Sequence, residues 1–194
     1  MKNVLLINAH QRWENFAEGG LTRSYIDLAK KELEQKEINV RVTTVEDGYN
    51  IDEEIDNHLW ADCVIVQVPM YWMNVPWAFK KYIDDVFTSG LGGRLAYHDG
   101  RVRDNPSKRY GTGGTTQGKK VMISVTINAP TYAFNKDEFF EGLTIDQVFI
   151  GIHKPYQFSG FTSLPGFVAY DVIKNPQVES DFVRFKAHLD SIFS

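Results

Sequence analysis

Short apolar runs alternate with amphipathic segments along most of the chain, and this alternation predicts a parallel α/β sheet. The runs are continuous, which is typical of strands that are buried on both faces. The predicted strands cover residues 3–7, 39–44, 63–68, 120–126 and 147–152. The predicted helices cover residues 21–34, 52–60, 76–87 and 178–193, and residues 135–142 form a short helix or an irregular segment. Five strands that alternate with helices predict a doubly wound sheet with right-handed connections.

Composition and charge narrow the class of protein. The chain has 194 residues, of which 43% are apolar and 24% charged, so we expect one folded domain over residues 1–194. The net charge of −4 argues against nucleic acid or an anionic membrane as the main partner. No apolar run is long enough for a signal peptide or a membrane span, and we therefore expect a cytoplasmic protein. The single cysteine, Cys63, lies in a predicted strand and is expected to be a core residue.

An aromatic segment, Met-Tyr-Trp-Met-Asn-Val-Pro-Trp at residues 70–77, follows the third strand and leads into a helix. Ligands of open α/β sheets bind at the carboxyl ends of the strands, so this segment predicts a site for a flat ring system. The alternative is that Trp72 and Trp77 are core residues. However, Tyr71 and Trp72 are adjacent in a turn and cannot both face one apolar layer, so at least one of them should be exposed or line a cleft.

The connection after the first strand has features of a phosphate site. It runs from His10 to Gly20 and ends in two glycines followed by a helix that contains Thr22, Arg23 and Ser24. Glycine allows close approach of the backbone, and a helix N-terminus offers free N–H groups with a positive dipole. The alternative is an ordinary helix start with solvated hydroxyls. The dinucleotide fingerprint G-x-G-x-x-G is absent here.

Other polar residues are predicted to lie near the same edge. Asn128 follows the fourth strand, where it either contacts a ring or caps a turn. His10 and His153 follow the first and fifth predicted strands, and each could stabilise negative charge or be structural. Residues 88–119 form an unusually long connection, rich in Arg and Lys, that either meets a phosphorylated ligand such as NADPH or FAD or is a solvated surface. No spacing of residues predicts a metal site.

Taken together, these segments resemble the flavodoxin-like NAD(P)H:quinone oxidoreductases, in the branch named for modulator of drug activity B. The matching segments are residues 60–62, 69–73, 76–77, 80–88, 99–101, 110–111, 117–120 and 128–130. The resemblance implies a flavodoxin-like fold with strand order 2-1-3-4-5 and a homodimer that binds FAD. Met70-Tyr71 stands where the branch often has Gly-Trp, and Ile127 replaces a frequent tryptophan.

The resemblance also implies site residues. The pyrophosphate and adenosine half of FAD would be held by Ala17, Glu18, Gly19, Gly20, Leu21, Thr22, Arg23 and Ser24. The flavin ring would be flanked by Pro69, Met70, Tyr71, Trp72, Met73, Thr126, Ile127, Asn128 and Ala129, with Tyr110 completing the site.

The function expected on this basis is two-electron reduction of quinones by NAD(P)H, with ping-pong kinetics because both substrates share one pocket. Backbone N–H groups near residues 126–129 would stabilise negative charge. No essential acid or base is assigned, and His153 and Tyr71 are only candidates for a catalytic role. The alternatives are an FMN-dependent azo or nitro reductase, a one-electron carrier, and a flavin-binding regulator without turnover.

Overall fold

A computed structural model describes residues 1–193 and shows a parallel sheet with helices on both faces. Within these residues the strands are Asn3–Asn8 (β1), Asn39–Thr44 (β2), Cys63–Pro69 (β3), Lys120–Thr126 (β4), Thr162–Ser163 (β5) and Phe167–Ala169 (β6). The α-helices are Gly20–Glu34 (α1), Ile51–Trp60 (α2), Trp77–Ser89 (α3), Ile145–Val148 (α4), Ile150–Ser159 (α5) and Val178–Ile192 (α6). The order β2-β1-β3-β4-β5 confirms the predicted topology.

The fifth position of the sheet is shared by two short strands. β5 pairs with the beginning of β4, and β6 pairs with its end, so both continue one edge. Pro165 and Gly166 lie between them. Side chains of α6 cover this edge: Arg184 Nη2 donates to the Val168 carbonyl at 3.0 Å, and His188 Nε2 donates to the Pro165 carbonyl at 3.0 Å.

The prediction of a strand at residues 147–152 is wrong, because this segment forms α4 and the start of α5. Thr144 and Gln147 form a capping box, in which each side chain bonds the other's backbone N–H, and this starts the helix. Phe149, Ile152 and Tyr156 are buried at spacings of three and four residues, as expected for one helix face. A short apolar run does not by itself distinguish a strand from a buried helix. Residues 135–142 are irregular turns.

Successive side chains of each strand point to opposite faces, and this divides the core into two layers. Val64 and Val66 of β3 face α2, α3 and α5, whereas Cys63 and Ile65 face α1 and α6. Burial raises the pKa of the Cys63 thiol to about 12, which fits a packing role rather than that of a nucleophile. Among the helices of residues 1–193, none combines the length and the apolar character needed to cross a membrane.

A polar network is buried in the layer between β2, α2 and α3. The carboxylate of Glu54 accepts hydrogen bonds from Thr43 Oγ1 at 2.9 Å, Asn57 Nδ2 at 2.9 Å and the Tyr82 hydroxyl at 2.5 Å. Glu54, Thr43 and Tyr82 are all buried, so these bonds replace water as partners of the carboxylate. The network therefore ties two helices to the edge strand β2.

The long connection between α3 and β4 lies at the amino end of the sheet. The backbone N–H and the hydroxyl of Thr116 both donate to the Ser159 carbonyl at the end of α5. Arg94 forms ion pairs with Asp52 and Asp56 of α2, both at 2.6 Å. The connection is therefore packed against α2 and the end of α5, at the end opposite to the predicted ligand edge.

Candidate active site

The start of α1 forms a tight cradle at the carboxyl end of β1. Gly19 precedes the helix with φ +77°, and a Cβ at this position would lie 2.7 Å from His10 Cδ2 and 3.2 Å from Arg23 Nη1. Glycine is therefore required both by the backbone conformation and by the space. The first turn of α1 holds no acidic residue, so its free N–H groups and the positive end of the helix dipole are available to an anion.

His10 lines the floor of this cradle. Its Nε2 lies 3.0 Å from the Ala17 carbonyl, which can only accept, so Nε2 carries the proton. Nδ1 is buried without a partner among the described residues, and it can donate to an anion when both ring nitrogens carry a proton. An orphaned buried ring nitrogen beside a cradle with no room for a Cβ fits a ligand that binds there. The position of His10 after β1 predicts that it lies near this edge, but His10 is not among the predicted cofactor-binding residues.

The other residues predicted for the cradle have mixed roles. Glu18 accepts from the Asn15 N–H and from Arg12 Nε, and these bonds lower the pKa of its carboxyl. Ser24 Oγ donates to the Gly20 carbonyl of its own helix. These contacts shape the loop, and they leave Arg23 as the cationic side chain at the cradle wall.

The aromatic segment forms a strained two-residue turn at the carboxyl end of β3. Trp72 and Met73 have φ of 48° and 62°, a left-handed conformation that is unusual for large side chains. Two backbone hydrogen bonds between Tyr71 and Asn74, of 2.8 and 3.1 Å, close the turn. Trp72 is 94% exposed, which confirms that the two adjacent aromatics do not share one layer. Strain of this kind is concentrated at functional sites.

Tyr71 joins the aromatic turn to the cradle. Its hydroxyl donates to the Gln11 carbonyl at 2.8 Å, and its ring meets that of His10 edge-to-face, with centroids 6.1 Å apart. Burial, with a smaller contribution from Glu46, raises the pKa of Tyr71 to about 12. The hydroxyl therefore keeps its proton at neutral pH and uses it for this bond, which gives Tyr71 a structural part in the site.

The loop after β4 completes the edge. The Met70 N–H donates to the Thr126 carbonyl at 2.9 Å, and the Ile127 N–H donates to the Ala169 carbonyl at 2.9 Å. This fixes the loop between the aromatic turn and β6. The side chain of Ile127 is buried in the apolar core, whereas Asn128 is exposed. In the described part of the chain the N–H groups of Asn128 and Ala129 have no partner, so they are free to bind a ligand.

Comparison with known proteins identifies the family of the chain. Residues 2–192 match the model of a family described as having a flavodoxin-like fold. The chain belongs to this family. It is 43% identical over 192 residues to the NADPH:quinone oxidoreductase MdaB of Haemophilus influenzae, which covers 98% of this chain and 99% of that protein. The similarity confirms the family inferred from the sequence motifs.

Several solved structures share the fold of the present chain. General stress protein 14 of Treponema denticola, in complex with FMN, has a TM-score of 0.71 at 18% identity and covers 99% of both chains. An NAD(P)H:quinone oxidoreductase of Methanothermobacter marburgensis has a TM-score of 0.68 at 13% identity and covers 96% of both chains. At these identities the likeness concerns the fold alone.

Tyr110 is not brought to the carboxyl edge within one chain of this flavodoxin-like protein. It lies in the connection at the amino end, where its ring packs 5.8 Å from that of Phe158 and the Arg101 guanidinium lies 5.3 Å from the ring centroid. The α3 helix has 13 residues, or about 20 Å, and it separates this end from the aromatic turn. The connection between a crossover helix and the next parallel strand lies at the amino end of the sheet, so the predicted topology already separates Tyr110 from the carboxyl edge of its own chain.

His153 does not follow a strand, and this part of the sequence prediction is wrong. It lies inside α5 and is buried, with Nδ1 3.0 Å from Ser163 Oγ and Nε2 3.1 Å from Asp146 Oδ1. Both ring nitrogens therefore have partners, and the side chain ties α5 to β5 and α4. The cause is that α4 and α5 replace the predicted fifth strand.

Proposed function

We propose that this protein reduces quinones in two-electron steps with NAD(P)H as the donor and a bound flavin as the cofactor. The observation that carries the proposal is the junction of the α1 cradle with the strained aromatic turn through Tyr71. A phosphate site and a stacking surface side by side match the two parts of a flavin nucleotide. The 43% identity to a quinone oxidoreductase of Haemophilus influenzae supports the same activity.

Different residues of the chain would hold the phosphate and the ring of the cofactor. Gly19, Gly20 and the N–H groups of the first turn of α1 would bind phosphate, with Arg23 adding positive charge. The aromatic turn at residues 69–73 and the loop at 126–129 would hold the ring. A bound flavin would supply the hydride-transfer chemistry between a nicotinamide and a quinone. The N–H groups of Asn128 and Ala129 would stabilise negative charge that develops there.

One stacking surface serves both substrates in this proposal. Donor and acceptor would occupy it in turn, and the expected kinetics are ping-pong. Intersecting lines in double-reciprocal plots would contradict a shared surface.

FAD is the flavin proposed. The long loop from His10 to Gly19 and the resemblance in sequence support a dinucleotide. A specific observation favours the second candidate, FMN, because the similar Treponema denticola protein is in complex with FMN. Denaturing the purified holoprotein and weighing the released flavin by mass spectrometry distinguishes FAD from FMN.

The proposed activity is tested by adding NADPH to the flavin-loaded protein without oxygen and following visible absorption. We expect rapid bleaching that is reversed by a quinone. A flavin that binds but stays oxidised would contradict the enzyme and favour a carrier or a regulator.

The proposed enzyme is a homodimer in which Tyr110 serves the site of the second copy. Tyr110 is 66% exposed and lies about one helix length from the turn of its own chain, so it can complete only a neighbour's site. Large exposed side chains lie at the carboxyl edge, as Phe16 and Trp72 do, and in the connection at the amino end, as Tyr97 does, and such side chains are typical of surfaces that become buried on association.

Subunit complementation checks this arrangement. Trp72→Ala and Tyr110→Ala are each expected to impair turnover when present in both subunits. In a mixed dimer, one of the two sites regains Trp72 from one chain and Tyr110 from the other, so co-expression should restore activity to up to half that of the wild type. Purified mixed dimers no more active than either parent would show that both residues act within one chain.

A further inference from the structure

The ladder of hydrogen bonds between β3 and β4 stops at the carboxyl edge of the sheet. Its last bond runs from the Met70 N–H to the Thr126 carbonyl, at 2.9 Å. In a regular parallel ladder the next bond would join the Asn128 N–H to the Met70 carbonyl. That bond is absent from the described residues, since the aromatic turn begins at Tyr71 and takes the chain out of the ladder. The two strands therefore open into a crevice beyond Met70.

On its other side, the loop after β4 stays bonded to β6 through a bulge at Asp171. The Ile127 N–H donates to the Ala169 carbonyl at 2.9 Å, and in a regular ladder the Asp171 N–H would then donate to the Ile127 carbonyl. Instead, the Asp171 N–H donates to the Ala129 carbonyl at 3.1 Å. The bond to the Ile127 carbonyl comes from the Val172 N–H, at 3.2 Å. Asp171 is thus an extra residue in the ladder, which makes it the bulged residue.

These bonds set the direction of the Asn128 N–H. A trans peptide is planar, and its C=O and N–H point in opposite directions. The Ile127 carbonyl points to β6, so the N–H of the same peptide, which belongs to Asn128, points away from β6 and toward the crevice beside the aromatic turn. Ligands of open α/β sheets bind in crevices at the carboxyl ends of the strands.

The bulge depends on the backbone of Asp171 rather than on its side chain. Its φ is +52°, in the left-handed region that residues with a Cβ rarely adopt. Oδ1 of its carboxylate is buried and has no hydrogen-bond partner among the described residues. Bonding of this oxygen therefore does not explain the conformation. Backbone strain that persists in a folded protein is concentrated at functional sites.

We propose that Asp171 is a positioning residue of the ring site, whose left-handed backbone holds the Asn128 N–H toward the flavin. The inference rests on the proposed function, and it adds to the site a residue from outside segments 69–73 and 126–129. A donor that is fixed before charge develops stabilises that charge without reorganisation. Loss of the bulge should therefore weaken binding of the reduced flavin more than binding of the oxidised flavin.

Three substitutions at Asp171 separate the backbone from the carboxylate. Asp171→Gly, Asp171→Asn and Asp171→Val all remove the charge, but glycine and asparagine adopt the left-handed conformation readily and valine does not. Glu37→Val is the matched control, because Glu37 is an exposed acidic residue with φ +59° at the amino end of the sheet. Both valine variants should lower the urea midpoint of the apoprotein. If Asp171→Val does not fold, Asp171→Ala serves in the same comparison.

Flavin binding is measured by titrating each apoprotein with FAD and with FMN and following flavin fluorescence. The reduction potential of the bound flavin is measured against a reference dye. We expect Asp171→Val to bind oxidised flavin at least tenfold less tightly than Asp171→Gly, and reduced flavin at least tenfold less tightly again. The second factor corresponds to a two-electron potential that is lower by about 30 mV. Asp171→Asn should match Asp171→Gly, and Glu37→Val should match the wild type.

Two results would overturn the positioning role. One is an equal potential of the bound flavin in Asp171→Val and Asp171→Gly. The other is an equal loss of flavin from all three Asp171 variants, because the carboxylate and not the backbone would then be the feature required. A wild-type protein that binds neither FAD nor FMN would instead contradict the proposed function.

Discussion

Replacing Gly19 with valine is expected to abolish retention of the flavin. The position has φ +77°, and a Cβ would lie 2.7 Å from the His10 ring, so a branched side chain must distort the loop or the helix start. The first N–H groups of α1 would then no longer converge on a phosphate. We expect affinity for the flavin to fall more than tenfold. The strain should also lower the free energy of unfolding of the apoprotein by about 1–3 kcal/mol.

Gly20 provides the matched control for this experiment. A Cβ at Gly20 meets no atom within 4 Å, so Gly20→Ala should retain flavin and be folded as well as the wild type. The measurements are the ratio of visible to ultraviolet absorption after gel filtration and the urea midpoint of the apoprotein. If Gly19→Val keeps its flavin as well as Gly20→Ala does, the cradle is not the phosphate site.

Glu54→Ala is expected to be the most destabilising of the single substitutions considered in the core. Its carboxylate accepts hydrogen bonds from Thr43, Asn57 and Tyr82, and removing it leaves two buried hydroxyls unpaired and a cavity beside them. Unpaired buried groups cost about 1–3 kcal/mol each, so we expect a loss of about 3–5 kcal/mol in the free energy of unfolding. Such a loss is a large part of the stability of a typical domain.

Two other substitutions, at a bonding partner of Glu54 and at the residue before it, provide reference values for this loss of stability. Tyr82→Phe removes only one of the donors and should cost about 1 kcal/mol. Glu53→Ala changes an exposed carboxylate on the same turn of α2 and should shift the urea midpoint little. A Glu54→Ala midpoint close to that of Glu53→Ala would show that the buried network does not hold α2 and α3 in place.

Most of the fold could be predicted because its central strands are continuous apolar runs. β3 is buried along its whole length, and no other element type fits a run of this length followed by a turn and a helix opened by a proline. The helical structure of residues 147–152 could not be predicted in this way, because it depends on the capping box of Thr144 and on the tertiary packing of Phe149. Over so short a segment, its apolar residues fit both the two-residue repeat of a strand and the 3.6-residue repeat of a helix.

Part of the candidate site could likewise be predicted from the sequence, and part of it could not. The aromatic turn directly follows a buried strand, and the cradle ends the connection after another, so both were predictable at the shared carboxyl edge. The role of His10 as the floor of the cradle depends on its contact with Gly19, which no local pattern shows. The predicted order of strand, helix and parallel strand places Tyr110 at the amino end, whereas its contact with Phe158 of α5 is a property of the folded chain.

The covered edge formed by β5 and β6 has a consequence for how this protein avoids aggregation. An open edge strand offers its carbonyl and N–H groups to any other extended chain and can seed unlimited sheet growth. Here Arg184 and His188 occupy the outward carbonyls of Val168 and Pro165, and the proline interrupts the edge, so an incoming strand would find no continuous ladder. At high protein concentration, this edge of the sheet therefore does not favour strand pairing between copies of the chain.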